Sequence, residues 1–201
     1  MASELHELRL DTVVQALRDS GARRVLDLGC GPGELLLRLA REAQFTQIIG
    51  LDIDEAVLHE ARAVLGIGLP YPGDRIQVRH GAFDVADATL AGFDAAALVE
   101  TIEHLDPRLL GRMESAVFAS MRPAVVLVTT PNQEYNGVHG MAPGERRHPG
   151  HRFEWSRARF RQWAQGVAVR NGYAVDFSDI GPVHPQHGSS TQMARFSRVA
   201  Q

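Results

Sequence analysis

The sequence predicts an α/β domain: a mostly parallel, seven-stranded sheet with helices packed on both faces. Three observations lead there. Short apolar runs of strand length alternate with stretches of helical spacing, a glycine-rich turn follows the first run, and an acidic residue closes the second.

In chain order, Leu5, Leu8, Val13, Val14 and Leu17 share one helical face, and Gly21 supplies a stop. Residues 24–28 read as a buried strand, 34–41 as a helix and 47–51 as a strand. Asp54 is placed to cap a helix reaching Leu65, and residues 76–80 and 95–99 follow as strands. Asp106-Pro107 offers an N-cap and an N1 proline for a helix to about Met121. Residues 124–129 form the fifth strand, and Ser156 caps a helix to about Val169. The last strands, 173–178 and 191–198, flank a loop over 181–190. Between 131 and 155 the alternation gives way to a polar stretch rich in Gly, Pro, His and Arg, a length of loop that is commonly functional.

The 201 residues suit one domain spanning 1–201, with 131–155 as an insertion serving substrate or metal. No apolar run approaches the roughly 20 residues of a membrane span. The N-terminus has neither the basic nor the apolar region of a secretory leader. Cys30 is the single cysteine, which excludes an internal disulfide and leads us to expect a reducing, cytoplasmic compartment. Every basic residue other than histidine is arginine. From Glu134 onward nine arginines face five acids, whereas the rest holds twelve against nineteen. An acidic body with a basic final third can present one face to a polyanion, although genomic bias toward arginine gives the same composition.

Asp27-x-Gly29-x-Gly31-x-Gly33 leaves one strand and opens a helix. That turn lets a ligand rest on bare backbone beside a helix N-terminus. Asp52, ending the next strand, can accept hydrogen bonds from ribose hydroxyls. A dinucleotide site would show Gly-x-Gly-x-x-Gly. The pattern here instead resembles motif I of Rossmann-like class I methyltransferases. That resemblance implies S-adenosylmethionine as cofactor, with Asp27, Gly29, Gly31 and Gly33 around it, Asp52 on its ribose and Phe83 near its adenine.

Glu100-Thr-Ile-Glu103-His104 follows the fourth strand. Positions i, i+3 and i+4 share a face if the segment turns helical. Two carboxylates and an imidazole suit Mn²⁺, Mg²⁺, Co²⁺ or Fe²⁺ better than a structural zinc. The same pattern is compatible with a pair that merely orients substrate or caps a helix. His148 and His151, set among arginines, are candidates for a further ligand, while His139, His184 and His187 read as surface residues.

Taken with Thr130-Pro-Asn132-Gln-Glu-Tyr-Asn136, His151-Arg-Phe-Glu-Trp-Ser156 and Ser190-Thr-Gln-Met-Ala194, these segments resemble one family in order and over nearly the whole chain. That family is the RNA 3′-terminal ribose 2′-O-methyltransferases: the small-RNA enzymes of plants and animals and their bacterial repair counterparts. The resemblance implies Glu100, Glu103, His104 and His151 as catalytic metal ligands, with His148 the substitute if the register shifts. It places Thr130–Asn132 beside the methyl donor. The implied partners are an RNA 3′ end and an RNA-repair kinase, phosphatase or ligase, with no DNA specificity and no membrane. Pro149-Gly150 departs from the polar, acidic residue that the family often carries before this histidine, which puts support of the ligand in question.

On this reading a divalent ion binds the 2′- and 3′-hydroxyls of a terminal ribose, and an unliganded neutral histidine takes the proton. Arg146, Arg147, Arg152, Arg157, Arg159 and Arg161 are placed to meet upstream phosphates, the last three equally well explained as a solvated helix face. Phe153 and Trp155 read as helix anchors ahead of base-stacking platforms. Two other readings stand beside this one: a small-molecule O-methyltransferase acting on a quinol or catechol, and an RNA-binding module with a vestigial cofactor site.

Overall fold

The computed structural model describes residues 2–199. Helix α1 (Ala2–Asp19) leads into strand β1 (Arg24–Leu28). Helix α2 (Glu34–Ala40), β2 (Gln47–Asp52), α3 (Glu55–Leu65), β3 (Ile76–His80) and β4 (Ala95–Val99) follow. After these come α4 (Leu110–Glu114), β5 (Val125–Pro131), α5 (Arg157–Asn171), β6 (Tyr173–Ile180) and β7 (Thr191–Arg198). The seven strands form one sheet in the order β3-β2-β1-β4-β5-β7-β6. β1 to β5 run parallel, and β7 lies antiparallel to both β5 and β6.

The strands read as continuous apolar runs because helices cover both faces. Val25, Ile48, Val78, Ala95, Ala97 and Leu127 pack into a cluster with Leu10, Val13 and Leu17 of α1 and Leu36 and Leu39 of α2. Their neighbours Leu26, Leu28, Ile49, Leu98, Val126 and Val128 face the opposite way, onto Met113, Val117, Phe118 and Phe160. β1 and β4 are neighbours, so the strand order reverses between them. The loops leaving their carboxyl ends therefore face each other across the crevice where open α/β sheets bind ligands. The glycine turn and Glu100–His104 are those two loops.

The caps expected from sequence form. Asp54 Oδ1 accepts from Ala56 N at 2.9 Å, and Ser156 Oγ accepts from Arg159 N at 3.3 Å. Asp106 opens its helix as expected, accepting from Arg108 N at 2.9 Å, but the helix is not uniform. A 3₁₀ turn (Pro107–Leu109) precedes α4, which widens into a π-helical segment (Ser115–Met121). β5 and β6 each run two residues beyond expectation because both pair with the start of β7: Pro131 and Ile180 each lie opposite Thr191. Among the described residues no helix is long and apolar enough to cross a membrane.

Candidate active site

The chain leaves β1 through three glycines of positive φ: Gly29 (80°), Gly31 (50°) and Gly33 (87°). A Cβ at Gly29 would stand 2.4 Å from Thr101 Cγ2, and one at Gly33 would stand 3.0 Å from Ala61 Cβ. A Cβ at Gly31 would meet nothing within 4 Å, so bare backbone there faces open space. Gly29 N and Cys30 N both donate to Leu51 O, at 2.8 and 3.0 Å. Gly31 N donates to Asp52 Oδ2 at 2.9 Å, while Asp52 Oδ1 accepts from Asp54 N at 3.0 Å. Asp52 thus clamps the turn to the end of β2 and stays half-buried beside it. Phe83 is sunk in the apolar core, and Gly81 and Ala82 are the more open members of its segment.

Asp27 lies beneath this turn. It is 2% exposed, and its Oδ2 has no hydrogen-bond partner among the described residues. Burial first, and the charge of Asp52 second, push its carboxyl up to about 7. The carboxyl ionises near ~3.9 in an unfolded chain, so folding favours the protonated form. The stability this confers is complete below about pH 4 and is lost as pH rises toward about 7. At about 1.4 kcal/mol per pH unit, the loss reaches at most about 4 kcal/mol. In urea melts of the ligand-free protein, wild type is expected to lose more stability than Asp27→Asn between pH 4 and pH 7. Parallel profiles would contradict the assignment.

Across the crevice, Glu100 follows β4 with φ 51°, a left-handed conformation unusual for a residue with a side chain. Thr129 holds it there: Thr129 Oγ1 donates to Glu100 Oε1 at 3.0 Å, and Glu100 N donates back to Thr129 O at 3.1 Å. A short 3₁₀ turn (Ile102–His104) then brings Glu103 inward and His104 outward. Glu103 is fully buried. Its Oε2 accepts from Thr130 Oγ1 at 2.9 Å, and its Oε1 has no hydrogen-bond partner among the described residues. Burial, then the charge of Glu100, raises its carboxyl well above the usual range. Burial raises Glu100 too, with Arg9, Thr129, Arg147 and His151 pulling the other way.

The insertion delivers the remaining histidines. One ring nitrogen each of His104, His148 and His151 lies within 4.8 Å of the others. His151 is buried, while His104 and His148 are exposed. Loss of surrounding water, then the charges of His151 and His148, lowers the His104 imidazole. His151 Nδ1 lies 2.6 Å from Glu154 Oε1. Glu154 is in turn fixed by Asn136 Nδ2 (2.6 Å) and Arg147 N (2.7 Å). A carboxylate on one imidazole nitrogen orients the ring and leaves the other free to bind. Arg147 pins the insertion to the sheet, donating to Asn136 Oδ1, Ser190 O and Asn132 O at 2.6–2.9 Å.

Some sequence expectations change. Arg147 and Arg157 are engaged internally, Arg157 with Glu134 Oε2 at 2.6 Å. Arg146, Arg152, Arg159 and Arg161 remain exposed. Asn132 is 1% exposed and braces the 181–190 loop through His187 O and Ser189 O. His139 is exposed, as expected, and its Nε2 lies 2.8 Å from Ser190 Oγ. Phe153 and Trp155 stack at 4.3 Å and pack on the core, as anchors. Sequence reading missed Glu154, whose signal was its place three residues after His151. It also missed Arg9 of α1, which reaches Glu100 Oε2 at 3.3 Å and has no local signal.

Comparison with known proteins follows the same lines. A family model described as "Methyltransferase domain" matches residues 1–180. The small RNA 2′-O-methyltransferase of Gallus gallus is 35% identical over 188 residues, covering 88% of this chain and 48% of the relative. Its Arabidopsis thaliana counterpart is 30% identical, covering 98% of this chain and 23% of the relative. The chain therefore spans about half, or less, of these relatives' length. The crystal structure of the methyltransferase domain of a bacterial Hen1, CtHen1-C, is 42% identical with a TM-score of 0.87, covering 98% of this chain and 100% of that one. A likeness that runs the full length of a solved domain decides the family: the chain is an S-adenosylmethionine-dependent methyltransferase domain and belongs to the Hen1-type, small-RNA 2′-O-methyltransferase family.

Proposed function

We propose that this domain transfers a methyl group from S-adenosylmethionine to the 2′-hydroxyl of the 3′-terminal ribose of RNA, with a divalent cation held by Glu100, Glu103, His104 and His151. The observation that carries this reading is the fully buried Glu103, whose Oε1 has no partner among the described residues, in the same short loop as the half-buried Glu100 and as His104, one of three histidines whose ring nitrogens come within 4.8 Å of one another. Two carboxylates so placed are costly unless a cation offsets them. Arg9 neutralises Glu100 in part but leaves Glu103 Oε1 alone. The residues fit Mg²⁺ or Mn²⁺ by donor type.

Bound there, the cation supplies Lewis acidity to adjacent ribose hydroxyls. The protein supplies position. Gly29–Gly33 cradles the donor against bare backbone, and Asp52 stands where the donor's ribose lies. Thr129 and Thr130 hold the two glutamates at the facing loop, so donor and acceptor meet across one crevice. The same carboxylates repel a 3′-phosphate, which favours a free 3′ end. A phosphatase that clears such ends must act beforehand, and a ligase competes for the product. These reactions define the repair partners this reading implies.

Glu154→Gln is expected to lower Mn²⁺ affinity 10–100-fold, roughly the cost of losing such a supporting carboxylate, with little change in melting temperature. Isothermal titration with Mn²⁺ measures it, and unchanged affinity would remove Glu154 from the site. Tritium transfer from S-adenosylmethionine to RNA, set against a quinol and catechol panel, tests the substrate class. Methylation of the small phenols with none of RNA would overturn the proposal.

A further inference from the structure

The three clustered histidines are held differently by the main chain around Gly150. Gly150 N donates to His148 Nδ1 at 3.0 Å. A nitrogen that accepts an N–H carries no proton, so the proton of the His148 ring resides on Nε2. His104 sits on the other side of the same residue. A Cβ at Gly150 would stand 3.1 Å from His104 Nδ1 and 3.0 Å from His148 Nδ1. His151 gives its Nδ1 to Glu154. With the Glu154 carboxylate on its Nδ1, His151 keeps a bare Nε2 lone pair, whereas His148, accepting at Nδ1, carries its N–H at Nε2.

From this we infer that His148 is neither a metal ligand nor a proton acceptor, but a hydrogen-bond donor whose Nε2–H binds the 3′-oxygen of the terminal ribose. The inference rests on the terminal-ribose reading above. It gives the Pro149-Gly150 departure a role: a residue without Cβ fits beside both the His104 and His148 rings while its N–H holds His148. His148 is exposed at the mouth of the cluster, where a substrate end arrives, whereas His151 is buried behind it. The step involves no bond making. A donor to the 3′-oxygen aligns the ribose and discriminates ends that lack a free hydroxyl there.

The test uses His148→Ala, His148→Gln and His151→Ala. Glutamine can place an amide N–H near the position of Nε2–H. Mn²⁺ affinity, read by electron paramagnetic resonance, is expected to be unchanged in both His148 variants and to fall at least about tenfold in His151→Ala. The KM for RNA with a 3′-hydroxyl is expected to rise about tenfold in His148→Ala, the loss of one good hydrogen bond, and to recover in His148→Gln. RNA ending in a 3′-deoxyribose is expected to bind wild type and His148→Ala equally. A fall in Mn²⁺ affinity in His148→Ala matching that of His151→Ala would make His148 a ligand and overturn the inference, as would an equal binding loss on 3′-deoxy RNA or no recovery with glutamine. A wild-type protein that methylates no RNA would instead overturn the terminal-ribose reading on which the inference stands.

Discussion

Glu103→Gln is expected to abolish methyl transfer while making the ligand-free protein more stable. The carboxylate is fully buried, one oxygen has no partner among the described residues, and the half-buried Glu100 carboxylate adds repulsion. Replacing the charge with an isosteric amide removes that penalty and keeps an oxygen for the Thr130 hydroxyl. Such a relief is typically about 1–3 kcal/mol. On the proposed reading the same change also deletes a charged ligand. If the cation contributes the several kcal/mol expected of a Lewis acid at a developing alkoxide, turnover falls by about three orders of magnitude. Differential scanning calorimetry and single-turnover methyl transfer read the two effects separately. A variant that loses stability as well as activity would show that Glu103 is a packing residue and not one poised for a cation.

Gly29→Ala carries the second large effect, and it acts on both sides of the crevice. The added methyl would lie 2.4 Å from Thr101 Cγ2, and φ at this position is 80°. The left-handed conformation alone costs an alanine about 1–2 kcal/mol. Relieving the clash displaces Thr101, which lies between Glu100 and Ile102, so the cofactor turn and the acid–histidine loop are disturbed together. S-adenosylmethionine affinity is expected to drop at least tenfold and the melting temperature to fall. Gly31→Ala bears only the conformational cost, because nothing lies within 4 Å of its new methyl group. Isothermal titration of S-adenosylhomocysteine with both variants checks the contrast. Equal losses would mean that the ligand, and not Thr101, fills the space beside the turn.

The fold was legible where physics is local. β1, β3, β4 and β7 begin and end where their apolar runs and flanking turns say. The caps at Asp54, Asp106 and Ser156 were readable because a capping side chain bonds two or three residues away. The ends of β5 and β6 were not, since Pro131 and Ile180 are strand residues only through Thr191, distant in sequence. The π-helical widening after Glu114 left no sequence mark.

The site divides the same way. Glu100, Glu103 and His104 were readable as one short motif after a strand. Arg9 reaches Glu100 from the first helix, a contact that only the closed fold creates. Glu154 sat in plain view beside His151, but a carboxylate three residues on reads equally well as helix-start chemistry. The bond to Nδ1 is what gives it meaning. Arg147 and Arg157 show the converse. Their charge suggests phosphates, and the folded chain also gives them internal partners: the carbonyls of Asn132 and Ser190 for Arg147 and Glu134 for Arg157.

The central claim is that methyl transfer goes to the 2′-oxygen of a terminal ribose and requires a divalent cation. It is tested most directly by the mass of a defined RNA oligonucleotide after reaction with S-adenosylmethionine and Mn²⁺ or Mg²⁺, followed by digestion to nucleosides. The predicted result is a single added methyl group, confined to the 3′-terminal nucleoside, absent in excess EDTA and absent on a 3′-phosphorylated end. Full methylation in EDTA, or on the phosphorylated end, would contradict it.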